Sequence, residues 1–136
     1  MGLITQHIHR SLDLNEVLNT TVIEVRNFLQ ADRVIIFRFQ DLTSINYCIL
    51  NEGIVLVESV VSDSISILGS TIPDGFTCSN YCGLYKDDNI LSIEDLGNAN
   101  IQNCHRELLK KWGVQADLEV PILQGELLWG MLMVHQ

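Results

Sequence analysis

Basic residues are scarce in this chain: eight lysines and arginines stand against 17 aspartates and glutamates, a formal net charge of −9 over 136 residues. Such a balance repels phosphate backbones and argues against nucleic acid and anionic membranes as partners. Long apolar runs are also missing. No stretch approaches the roughly 20 residues that a membrane-spanning helix needs, and Met1-Gly2-Leu3 does not open a basic region followed by an apolar one, so a cytoplasmic protein is expected. The four cysteines, at 48, 78, 82 and 104, form no CxxC pair, and free thiols rather than a disulfide framework are expected in a protein without an export signal. There are no internal repeats, low-complexity tracts or linkers. What remains is 47% hydrophobic, enough to bury the core of one domain over 1–136, with about 1–13 as a helical lead-in.

Apolar residues at Leu14, Leu18, Val22, Val25 and Phe28-Leu29 recur every three or four positions, which predicts a helix over about 14–30 with one buried face. Asp13 and Glu16 have the spacing of a capping box at its start. Residues 3–12 extend it upstream, as a segment suited to joining a neighbouring domain or pairing in a homodimer. The β-branched and aromatic run Arg33-Val34-Ile35-Ile36-Phe37-Arg38-Phe39 predicts a buried strand. A second follows at about 53–60, with Gln40 to Glu52 an insertion between them. Further strands are expected at 65–72 and 90–93, a helix over about 100–112, and two last strands at about 115–123 and 127–135 joined by Gln124-Gly125-Glu126. Pro73 to Asn89 reads as a long loop, and such loops are uncommon unless functional. The class is α+β, a central antiparallel sheet flanked by helices.

The chemistry concentrates at Cys104-His105, where a thiol followed by an imidazole can anchor and orient an electrophilic pigment. Around it stand Tyr85-Lys86-Asp87-Asp88-Asn89-Ile90, Ile93-Glu94-Asp95-Leu96, Ala116-Asp117-Leu118-Glu119-Val120-Pro121-Ile122-Leu123 and Leu128-Trp129-Gly130-Met131-Leu132-Met133-Val134-His135-Gln136. From the Leu14 helix to the last residue, this combination resembles a cyanobacteriochrome or phytochrome-like bilin-binding GAF domain. The resemblance implies the GAF fold with its last helix missing, since the family has a further helix where this sequence stops. It implies a linear tetrapyrrole, phycocyanobilin or biliverdin, joined to Cys104 by a thioether. His105 would lie along the pigment's central pyrroles, Asp74 would accept from their N–H groups, and Tyr85 and His135 would stand near ring D. Light would turn ring D, and the signal would pass to a partner protein or neighbouring domain.

Several positions around that pocket depart from the family's pattern. Where the subfamily with a second photoactive cysteine reads Asp-x-Cys-Phe, this chain has Phe76 and Thr77; Cys78 falls two residues late, and Cys48 is a remoter candidate. Ile72 stands in place of an aromatic residue and Leu84 in place of a basic one, which leaves Lys86, Arg106 or hydroxyls for the pigment's propionates. Zinc ligation by Cys78, Cys82, Cys104 and His105 has only loose spacing in its favour. No base held against the thiol and no Gly-rich donor loop can be recognised, so no enzyme activity is expected. Two other readings stay open: a GAF module without pigment that dimerises or regulates, and a thiol redox or small-ligand sensor using Cys78, Cys82 or Cys104.

Overall fold

The computed structural model describes residues 3–44, 52–72, 90–101 and 103–136, and among these the side chains of all but 3–12, 41–44 and 72. Helix α1 (Leu3–Leu29) leads into a sheet of β1 (Arg33–Ser44), β2 (Gly53–Val60), β3 (Thr71–Ile72), β4 (Leu91–Ile93), β5 (Asp117–Gln124) and β6 (Leu127–His135). Helix α2 (Asn103–Lys111) lies between β4 and β5, and single turns of 3-10 helix occupy Asp63–Ile65 and Leu96–Asn98. The order across the six-stranded sheet is β3-β2-β1-β6-β5-β4, with every neighbouring pair antiparallel. The expected α+β class and its central antiparallel sheet are therefore present.

The β1 sequence is apolar at successive positions because both faces of this central strand are covered. Ile35, Phe37 and Phe39 join Val55, Leu128, Met131 and Met133 on one face, where Leu108 and Trp112 pack from the α2 side. Val34 and Ile36 join Val57 and Val134 on the other face, against Leu18, Val22 and Val25 of α1. Among the described side chains of α1, these three apolar residues, at i, i+4 and i+7, form the stripe against the sheet, whereas Leu14 and Phe28 are exposed. Asp13 sits inside a helix that already runs from Leu3, so it does not cap a start.

The strand expected at 65–72 is reduced to Thr71–Ile72. Its preceding residues find partners elsewhere, which removes the need for a ladder. Arg33 Nη1 donates to Ile65 O at 2.7 Å, Glu58 accepts from Ile67 N at 2.7 Å, and Gly69 N donates to Val55 O at 3.0 Å. Helix α2 stops where Gly113 takes a positive φ of 72°, allowing Val114 N to reach back to Leu109 O at 2.9 Å. That stop also turns the Trp112 carbonyl towards β1.

Candidate functional site

Cys104 is the second residue of α2 and is exposed, on one wall of an open groove of about 650 Å³. Ile67, Thr71, Leu108, Lys111 and Trp112 line the same groove, so its floor is the rim of the apolar core on the α2 side. The volume falls in the range of small-molecule sites, roughly 300–1,000 Å³. Cys104 is engaged in a disulfide, with its partner outside the described residues. The expectation of free thiols is corrected here for Cys104: spacing along the chain does not reveal which cysteines pair.

His105, one residue on, turns inward and is buried. Its Nε2 stands 2.8 Å from Glu119 Oε2 on β5, with Glu119 fully buried at 0% exposure. Because side chains alternate along a strand, Asp117 and Glu119 share one face of β5, paired in register with His135 and Met133 of β6. Two acidic residues thus stand in a row that continues into the core. As an ionised group, Asp117 has no well-formed hydrogen bond; as an acid, it donates to Glu119. Burial first, then the charge of Glu119 and that hydrogen bond, hold Asp117 well above the ordinary carboxylate range, against a smaller opposing pull from Arg33.

His135 closes the cluster. Arg33 Nε donates to its Nδ1 at 3.0 Å, which places the proton of a neutral ring on Nε2, 3.3 Å from Asp117 Oδ1. Burial, with the Arg33 charge second, pushes His135 down to about 3, so the ring stays neutral at physiological pH. Arg33 also donates through Nη1 to Ile65 O at 2.7 Å and through Nη2 to Trp112 O at 2.9 Å. The Trp112 ring, which lines the groove, tilts against His135 with centroids 5.9 Å apart. His105, Asp117 and Glu119 place donor atoms within 4.8 Å of one another, a spacing that could accommodate a small cation in place of the proton on Asp117.

The sequence-derived candidates therefore divide. Cys104 lines the groove, while His105 and His135 lie behind it in the buried polar cluster. Asp74, Tyr85 and Lys86, with Cys48, Cys78 and Cys82, lie outside the described residues. Arg106 is committed to the backbone, donating to Leu96 O and Ala99 O and so tying α2 to the preceding 3-10 turn. Lys111, one helical turn beyond Leu108, is the groove's cation instead. Sequence reasoning passed over Arg33, Asp117, Glu119 and Lys111. The signal for the acidic pair was there: charges at alternate positions of an otherwise apolar strand point inward together.

The sequence profile of the GAF domain family matches residues 13–136. A putative methyl-accepting chemotaxis protein of Synechocystis sp. is 33% identical over 98% of this chain, which spans only 12% of that protein. The phycocyanobilin-bound GAF domain of a cyanobacterial phytochrome superposes with a TM-score of 0.76 at 28% identity, covering 98% of this chain and 75% of that one. The blue-light-absorbing form of the Thermosynechococcus elongatus PixJ GAF domain gives 0.75 at 28% identity, covering 91% and 69%. Among the described residues, no helix is long and apolar enough to cross a membrane.

Proposed function

Because this chain belongs to the GAF domain family, and its fold matches cyanobacteriochrome and phytochrome members of it, we propose that it is a light-sensing module carrying a linear tetrapyrrole on Cys104. The observation that carries the reading is the position of Cys104: an exposed residue in the first turn of α2, on the wall of a groove with an apolar floor. The positive end of the helix favours the thiolate once the sulfur is free. Thioether formation is the addition of S–H across a carbon–carbon double bond on ring A, with sulfur bonding one carbon and the proton passing to the other. A disulfide cannot do this, so two electrons from a thiol reductant must first release Cys104. Phycocyanobilin, the pigment of the phytochrome GAF domain matched above, is the first candidate, and biliverdin is the second. Lys111 and the hydroxyl of Thr71 on the groove wall suit propionates.

Photoisomerisation of such a pigment would change its contacts with the groove and bias a signalling partner or neighbouring domain, in keeping with the relative that is a putative methyl-accepting chemotaxis protein. The module senses and binds; it does not catalyse. Assembly with phycocyanobilin under reducing conditions tests this reading, with Cys104→Ala as control: colour that survives denaturation is expected in the parent chain alone.

The disulfide at Cys104 favours a second reading, a thiol redox sensor. Counting free thiols across a glutathione redox series separates the two. A sensor titrates near the cytosolic poise of about −220 to −320 mV, whereas a pigment-binding cysteine is already reduced there.

A further inference from the structure

Helix α1 runs for 27 residues, about 40 Å, yet among its described side chains the apolar contacts with the sheet begin only at Leu18, and 13–17 are all exposed. Where it packs, α1 lies over β1 and β2, with Arg26 on one flank donating to Ser59 Oγ of β2 at 2.7 Å. The other flank carries Leu14, Val17, Thr21, Glu24 and Phe28, at alternating steps of three and four. Leu14, Val17 and Phe28 are 51%, 59% and 86% exposed, and the Thr21 hydroxyl is satisfied within the helix, donating to Val17 O at 2.6 Å. Since the sheet runs β2-β1-β6-β5, this flank looks over β6 and β5, whose Leu118, Ile122, Trp129 and Leu132 are only half-buried on the α1 side. Helix wall and sheet floor together make an open apolar trough, a surface that marks an interaction site.

We propose that a second copy of this chain fills the trough, with the two α1 helices antiparallel, so that the upstream half of each rests on the other copy's β5–β6 face. The pattern of charge along the helix selects both the occupant and its direction. In sequence, 3–12 carries Leu3, Ile4, Ile8 and Leu12 at helical spacing, with Arg10 and two histidines and no acidic residue, whereas Asp13, Glu16 and Glu24 follow it, all exposed. Setting Leu14 opposite the partner's Val17 brings Glu24 opposite the partner's His7, one turn from its Arg10, and Phe28 opposite the partner's Leu3. A parallel pair would instead set Glu24 against Glu24 and Arg10 against Arg10, and like charges so placed repel. The antiparallel seam is centred between Leu14 and Val17, just upstream of the sheet contacts that begin at Leu18, so the two sheets stand at opposite ends of the helix pair and do not collide. The contact is isologous, each copy giving the same helix and the same trough.

Sedimentation velocity of the full chain without pigment, over a concentration series, tests the pairing separately from the bilin reading. A monomer–dimer equilibrium is expected in the parent chain. Val17→Glu should weaken it about tenfold or more while helicity by circular dichroism stays unchanged, because Val17 is exposed in the single copy. Phe28→Ser, at the other end of the seam, should weaken it as well. Glu24→Lys should loosen the dimer and the added Arg10→Glu should restore it, since the double reversal exchanges charges across an antiparallel pair. For direction, chains bearing Leu3→Cys are mixed with chains bearing Phe28→Cys and oxidised, and a disulfide joining the two substituted positions, identified by peptide mass, is expected. A parent chain that stays monomeric at every concentration overturns the proposal. So does a dimer that Val17→Glu and Phe28→Ser leave intact, a double reversal that restores nothing, or a Phe28→Cys chain that links to itself through that position, as parallel helices would.

Discussion

Two buried groups at the foot of β5 and β6 titrate in opposite senses. Asp117 is raised by burial and by Glu119, so the folded chain holds that proton more tightly than the unfolded chain does. Its contribution to stability is present below the unfolded value of about 4 and is lost as pH rises towards the folded one. His135 is lowered from 6.5 to about 3, so its contribution is present above 6.5 and is lost as pH falls through that window. From about pH 4 up towards the raised folded value of Asp117 the two slopes oppose, each at most about 1.4 kcal/mol per pH unit. Asp117→Asn keeps an amide donor towards Glu119 and removes the first slope. Urea unfolding at a series of pH values should show the parent chain losing about 1.4 kcal/mol per unit relative to Asp117→Asn as pH rises above about 4. Parallel profiles would mean that Asp117 is ionised in the folded protein.

At the scale of elements, Arg33 joins the start of β1 to the end of β6, the 3-10 segment and the end of α2 through three hydrogen bonds. Arg33→Met should destabilise by about 3–5 kcal/mol in urea unfolding, because it strips donors from buried acceptors and leaves the acidic pair without a nearby cation. Arg33→Lys should recover only part, since an ammonium cannot reproduce the planar fork. The Trp-Gly pair of β6 has its own mechanical basis. A Cβ at Gly130 would meet Phe37 O at 2.1 Å, so Gly130→Ala must push β6 away from β1. A loss of about 1–3 kcal/mol is expected from thermal unfolding; an unchanged Tm would show that the two strands can part without penalty. Most of these elements were legible in the sequence, because apolar alternation and the Gln124–Glu126 turn are local signals. The strand expected at 65–72 was not, because Arg33 and Glu58, remote in sequence, supply the hydrogen bonds that make a ladder unnecessary there.

At the scale of the whole molecule, the site is a groove with a sulfur on its wall and a charged cluster behind it, each assembled from several elements. Cys104 and His105 were legible as a pair, but their divergence, one to the groove and one to the sheet, required knowing which side of α2 faces β5. Glu119 and Asp117 gain their meaning only once β5 is placed between β4 and β6. The disulfide at Cys104 is a long-range feature of the same kind. It makes reduction the condition for pigment attachment, and so defines the decisive measurement: absorption of the reduced chain after incubation with phycocyanobilin, before and after denaturation, beside Cys104→Ala. Visible absorption that survives denaturation in the reduced parent chain, and is lost both in Cys104→Ala and without reductant, is the expected result. A folded, reduced parent chain that stays colourless, or a Cys104→Ala variant that retains the colour, would contradict the assignment of Cys104 as the anchor.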